Sequence, residues 1–255
     1  MKTMKYMLTM MALLMSASFV MAGTEKQTYF ENANALYNEG YYDSALVVYR
    51  EIVAEGYESA ALYYNMGNAS YKNMQYSKAI LYYEKALQLD PSNQDIVNNL
   101  AMANLHIADK IEPLPELWLR RWFNGFMNLF SINTWAVITV VLTSLICLCF
   151  YLFKRSRRVV VRKTMFFTGL FLLLLFVLSG VSALRRYSEL RDPNHAIIMA
   201  STITVKSSPS STSVDLFVLH EGTKVAILEA SDSWNKIKIA NGSVGWLPAN
   251  TMVAY

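Results

Sequence analysis

The sequence predicts a multidomain membrane protein: an α-helical repeat domain, a transmembrane helical hairpin and a small all-β barrel. Three observations predict it. A tyrosine-rich pattern recurs every 34 residues in the first half. Two charge-free runs of about 20 residues flank a short basic stretch in the middle. Short β-rich runs separated by turn residues fill the last quarter.

Residues 1–22 read as a secretory signal peptide. Lys2 and Lys5 give a positive start, Met7 to Met15 an apolar core, and Val20-Met21-Ala22 suits cleavage after Ala22. No cysteine follows, so no lipid-modified cysteine anchor is expected. An uncleaved third span is the alternative, and it is short for that role.

Residues 23–110 form the repeat domain. Tyr29, Tyr37, Tyr42, Ala45 and Tyr49 recur as Tyr63, Tyr71, Tyr76, Ala79 and Tyr83. The second copy carries Tyr63, Met66, Gly67, Ala79, Tyr83, Ala86 and Pro91 at positions where two antiparallel helices must approach, fill the gap and stop. On these residues the segment resembles the tetratricopeptide repeat. In the first copy Ala33 stands in place of Gly67, and Glu55-Gly56 replaces the Asp-Pro ending. A third copy begins at Gln94 and supplies one helix, to about Lys110, as a cap. About two and a half repeats lie near the minimum for a stable stack, so docking on a membrane or partner is expected.

The resemblance implies a concave face lined by first-helix positions: Phe30, Asn34, Tyr37 and Asn38, then Tyr64, Asn68, Tyr71 and Lys72, then Asn98 and Met102. Proteins or peptides are the partners it implies. Asn34 and Asn68 stack on one face, where their amides either bind an extended peptide backbone bidentately or are merely solvated. Family members that bind acidic chaperone tails carry lysine near the start of these helices. Phe30 and Tyr64 stand there instead, which suits an apolar or aromatic peptide.

Residues 111–133 link the repeats to the membrane. Pro113 and Pro115 break the helix. Glu116, Arg120, Asn124 and Asn128 then form a polar stripe, opposite Trp118, Leu119, Trp122, Phe123, Phe126, Met127 and Phe130. Such a helix either lies among lipid headgroups, with Trp135 continuing the aromatic belt, or fills a partner's groove. Two transmembrane helices follow, 134–153 and 164–184. The basic loop 154–163 between them holds Lys154, Arg155, Arg157, Arg158, Arg162 and Lys163, and short basic loops stay in the cytoplasm. Both soluble parts are therefore expected in the periplasm, with the hairpin in the inner membrane. Neither span carries a charge, which argues against a transport element.

A polar linker, 185–194, leads to an all-β domain over 195–255. Its runs are AIIMA, TITVK, LFVLHEG, KVAILEA, NKIKIA and VGWLPA, with Asn241-Gly242 as a tight hairpin turn. Thr204-Val205-Lys206-Ser207-Ser208-Pro209, His220-Glu221-Gly222-Thr223-Lys224-Val225, Trp234 and Gly242-Ser243-Val244-Gly245-Trp246-Leu247 make it resemble the bacterial SH3 domain. Trp234 and Trp246 form either an exposed platform for peptide or peptidoglycan, or core anchors of a barrel.

The formal net charge of +4 hides a segregation: Thr24 to Glu116 holds thirteen acidic residues against six basic. Basic excess sits at the membrane edges, which topology and anionic inner-membrane lipid explain without nucleic acid. Cys147 and Cys149 both fall in the first span, so no disulfide framework is expected. His106, His195 and His220 lie in separate segments, and no phosphate loop, nucleophile elbow or dinucleotide fingerprint occurs. No catalytic residue, metal or cofactor is expected, and the chain reads as a non-enzyme.

The order of parts resembles the BatE proteins of the Bacteroides aerotolerance (Bat) operon. That resemblance implies a scaffold in an aerotolerance or envelope-stress complex. Its neighbours include von Willebrand factor A-type membrane proteins, the partner candidates, and a MoxR-type ATPase. The alternative is a cell-wall sensor that grips peptidoglycan through the SH3-like domain.

Overall fold

The computed structural model describes residues 27–115, 117–191, 194–231 and 233–255. The expected signal peptide and Glu116 lie outside the described residues.

Five helices build the repeat region: α1 over 27–38, α2 (Tyr42–Ala54), α3 (Ala60–Lys72), α4 (Tyr76–Leu89) and α5 (Gln94–Asn104). Local chemistry sets several ends. The Ser59 hydroxyl caps α3 by accepting the Leu62 N–H, and the Asn93 side chain caps α5 by accepting from Asp95 and Ile96. The α1–α2 turn passes through Gly40 at φ +88°, and the α3–α4 turn through Met74 at φ +58°. Small residues allow the helices to close: a Cβ on Gly67 would sit 2.5 Å from the Tyr83 ring. Leu46, Tyr49, Leu62, Met66, Ile80 and Tyr83 fill the core.

The third-copy helix was expected to reach about Lys110 but stops at Asn104. Beyond it the chain is drawn elsewhere: the His106 ring stacks on Tyr76 at 4.0 Å, and Asp109 binds the β domain.

Helix α6 (Trp118–Met127) is the amphipathic segment. Helices α7 (Ile132–Arg155) and α8 (Val159–Arg191) pack as a hairpin. Both are long and apolar enough to cross a membrane, over Ile132–Arg155 and Val159–Arg185, with mean hydropathies of 2.5 and 2.3 in an 18-residue stretch of each. Thr139 Oγ1 and Ser179 Oγ are 2.7 Å apart between them, and Ser179 also donates to the Trp135 carbonyl. The connecting loop is shorter than 154–163. Only 156–158 is non-helical, because Lys154 and Arg155 complete the last turn of α7, where cations suit the helix dipole. The linker at 185–194 is also largely helical, since nothing before Asp192-Pro193 breaks α8.

Seven strands follow: β1 (His195–Ile198), β2 (Thr202–Lys206), β3 (Asp215–His220), β4 (Lys224–Ser231), β5 (Trp234–Lys238), β6 (Val244–Pro248) and β7 (Met252–Ala254). They form an antiparallel sheet in the order β3-β2-β6-β5-β4-β1-β7. This hydrogen-bonded order is open, with β3 and β7 at its ends. The six expected runs are strands; β7 is added. Asn241-Gly242 makes the β5–β6 hairpin turn, with Gly242 at φ +92°. The sheet folds over a core that includes Ala196, Ile198, Val205, Leu219, Ile237 and Leu247.

The β domain docks on the repeats. Alternation along β1 directs Ala196 and Ile198 into the sheet core and Ile197 into the repeat core, where Tyr255 joins it. Lys224 Nζ donates to Glu84 on α4 at 2.7 Å, and Ser77 donates to Glu221 at 3.3 Å. The surface expected to need a membrane or partner is thus covered in part by the chain itself.

Candidate functional site

Two hydrogen-bonded triads, one repeat apart, line the inner face of the stack. Asn34 Oδ1 accepts from the Tyr49 hydroxyl at 2.6 Å and from Asn65 Nδ2 at 2.8 Å. Asn68 Oδ1 accepts from the Tyr83 hydroxyl at 2.7 Å and from Asn99 Nδ2 at 2.8 Å. Each triad joins the two helices of one repeat to the first helix of the next. The aromatic pairs recur with the same spacing: Phe30 on Tyr49 and Tyr64 on Tyr83, both at 6.1 Å, then Tyr37 on Tyr42 at 5.2 Å and Tyr71 on Tyr76 at 5.4 Å.

Below the second triad opens a groove of about 290 Å³, lined by Tyr37, Tyr64, Asn68, Tyr71, Lys72, Tyr83, Asn99 and Met102. Tyr37, Tyr64, Asn68, Tyr71, Lys72 and Met102 were expected there. Four expected residues are elsewhere. Phe30 packs on Tyr49, Asn34 is held in the first triad, Asn38 is exposed outside the lining, and Asn98 is exposed and accepts from Gln94. Tyr83 and Asn99 were missed, although Asn65 and Asn99 stand 34 residues apart as Asn34 and Asn68 do.

The triads change the role expected of the two asparagines. Both lone pairs of each oxygen already accept, so bidentate pairing with a peptide backbone is closed to them. Only the amide NH2 groups remain to donate. Burial pushes the Tyr49 hydroxyl up to about 12 and raises that of Tyr83 as well. Burial also raises Tyr37, and the neighbouring Tyr42 and Tyr64 add to it. These hydroxyls are donors at neutral pH, and Lys72 is the one ionised side chain of the groove wall.

On the β domain, Trp234 and Trp246 are half-buried on the outer face of the sheet. Lys236 pairs opposite Trp246 and lies 5.8 Å over its ring. The inner face of these strands belongs to Ile237 and Leu247, so neither tryptophan is a core anchor. On α6, Trp118 and Trp122 are 78% and 66% exposed, while Met127 is buried against Trp135, whose Nε1 donates to the Met127 carbonyl. The six basic residues cluster at the α7–α8 turn, remote in sequence from both soluble modules. Among the described residues no group of three or more His, Cys, Asp or Glu side chains is placed to hold a metal.

With this geometry in hand, comparison with family models matches the tetratricopeptide repeat over residues 60–93, which spans α3, α4 and the turns that follow them. No curated protein matches the chain. The repeat is a protein-interaction scaffold, and the chain combines it with two helices able to cross a membrane and an antiparallel β domain.

Proposed function

We propose that the chain is a non-enzymatic adaptor, anchored by α7 and α8 in the inner membrane, whose repeats hold a segment of a protein partner in the periplasm. The groove beside the second triad carries this reading: tyrosine faces, the Asn68 amide NH2 and one lysine suit an extended apolar or aromatic peptide. Orientation rests on Lys154, Arg155, Arg157, Arg158, Arg162 and Lys163, which favour a cytoplasmic α7–α8 turn. In the functional division we propose, 23–110 and 195–255 act together on one side of the membrane. The order of parts supports a place in a Bat-type aerotolerance or envelope-stress complex, with von Willebrand factor A-type membrane proteins as partners.

The test is photo-crosslinking in cells from a reactive residue at position 102, in the groove, and from position 47, on an exposed outer position of α2. A partner captured from 102 and not from 47, and lost on Lys72→Glu, supports the groove. Equal capture from both positions overturns it. A reporter fused after Tyr255 and active only in the cytoplasm would overturn the orientation.

A second reading is a peptidoglycan sensor. The outward placement of Trp234 and Trp246 beside Lys236 favours it. Sedimentation of the full chain with purified sacculi, weakened by Trp246→Ala, is its signature.

A further inference from the structure

Where the β domain docks on the repeats, the two modules line a groove of about 770 Å³. Helices α2, α3 and α4 supply one side, and Met199, Glu221 and Val253 the other. It shares no residue with the tyrosine-lined groove described above, and no residue of α6, α7 or α8 lines it.

Its charge runs against that of the module around it. The stretch from Thr24 to Glu116 holds thirteen acidic residues and six basic ones, yet three of those six, Arg50, Lys78 and Lys85, line this groove. Lys78 and Lys85 lie seven residues apart, on one face of α4. None of the three cations forms an ion pair among the described residues. Lys78 donates to the neutral Gln75 side chain at 3.0 Å, and Lys85 lies 5.3 Å over the Tyr63 ring. The lining has one carboxylate, Glu221, which accepts from the Ser77 hydroxyl at 3.3 Å. Of the acidic groups close by in sequence, Glu84 is bound to Lys224, and Glu58 accepts from the Tyr63 hydroxyl at 2.7 Å. Between the cations the surface is apolar and adaptable. Met74 and Val253 are 74% and 41% exposed, and Met199 and the Tyr82 ring are half-buried beside them. Methionine and tyrosine faces accept varied apolar and aromatic side chains.

We propose that this groove is a second docking site, for an acidic peptide segment of a protein partner in which carboxylates alternate with apolar or aromatic side chains. Charge complementarity selects the occupant: Arg50, Lys78 and Lys85 take the carboxylates, while Met74, Met199 and Val253 take the apolar side chains. The absence of α6, α7 and α8 from its lining sets it apart from a lipid-headgroup site. Because both modules build it, the groove exists only while the β domain is docked.

The test uses the full chain purified in detergent and follows binding of a fluorescent peptide by anisotropy. The probe is the synthetic peptide Asp-Phe-Asp-Leu-Asp-Phe, and its controls carry serine or lysine in place of every aspartate. The acidic peptide should bind at least tenfold more tightly than either control, and added salt should weaken it. Arg50→Gln should weaken binding about threefold, and Arg50→Gln with Lys85→Gln about tenfold, the loss of one and two partly exposed ion pairs. Val253→Glu leaves the cations in place and sets a like charge against the peptide from the β side. It should weaken binding to a similar extent, and it guards against a folding defect in the charge variants. Lys72→Glu, in the other groove, should leave binding unchanged. Equal binding of the serine peptide, or wild-type affinity in both the double variant and Val253→Glu, overturns the proposal. Loss of the peptide on Lys72→Glu overturns the location and assigns the peptide to the tyrosine-lined groove. Displacement by water-soluble dihexanoyl phosphatidylglycerol overturns the peptide occupant in favour of an anionic lipid.

Discussion

The Asp109 carboxylate accepts both the backbone N–H and the ring Nδ1–H of His220, each at 2.8 Å, across 111 residues of chain. The Thr223 hydroxyl adds a third bond at 2.6 Å. Asp109 follows the last repeat helix, and His220 and Thr223 flank the β3–β4 turn. The three bonds therefore lock the β domain to the repeats, beside Ile107, which packs under Gly222.

Asp109→Ala should release that lock. Three hydrogen bonds to a mostly buried carboxylate are lost, worth about 3 kcal/mol after allowance for non-additivity. Hydrogen exchange at Gly222 and Thr223 should quicken about a hundredfold, while exchange in α3 stays slow. Unchanged exchange at the turn would show that the apolar contact alone holds the modules.

The same lock sets an acid limit. Burial alone would raise the Asp109 carboxyl, but hydrogen bonds from Thr223 and His220, then the His220 charge, outweigh it and hold the group below its ordinary value. A depressed folded value adds stability that is present above the unfolded value of about 4 and is lost as pH falls through the folded one. Module docking should therefore weaken as pH falls below about 4. Acid-induced exposure of the β3–β4 turn to protease is the measurement.

The buried tyrosines set an alkaline limit with the opposite sign. The Tyr49 hydroxyl is raised to about 12, against about 10 in an unfolded chain. A raised value contributes fully below pH 10 and is lost as pH climbs through 12. Tyrosinate absorbance should appear together with loss of helical circular dichroism in that window. Asn68→Ala, which leaves the Tyr83 hydroxyl and the Asn99 amide without their shared acceptor, should cost about 2 kcal/mol at neutral pH.

Met74 and Gly40 occupy equivalent turn positions one repeat apart, both left-handed. Met74 is 74% exposed, so its side chain adds little packing to offset the strain. Met74→Gly should stabilise the repeats by about 0.5–1 kcal/mol, read as a rise in thermal midpoint. Gly67→Ala should do the reverse. The added methyl meets a Tyr83 ring fixed by its hydrogen bond to Asn68, and overpacking of that kind costs about 1–3 kcal/mol.

Local periodicity made most of the fold readable. The tyrosine spacing defined the repeats, the uncharged runs defined α7 and α8, and the turn residues separated six strands. The groove followed from the same spacing as far as first-helix positions went. Tyr83 escaped because it reaches the groove from the second helix, and Asn99 because it stands one residue beyond Asn98, the position chosen on the same helix. The union of the two modules was hardest to read. Asp109 and His220 share no local pattern. One trace was present: Ala196-Ile197-Ile198 is a continuous apolar run where a strand with one wet face would alternate, the mark of burial on both sides. Strand β7, with three residues, was too short to register.

Helix α8 runs unbroken from the α7–α8 turn past Arg185 to Arg191. Near that far end Arg185 meets Asn124 and Met127 of α6. A single helix of 33 residues does not fold back on itself, so a displacement of α6 at Arg185 is carried along the axis of α8 to the α7–α8 turn, which makes α8 a lever between the two.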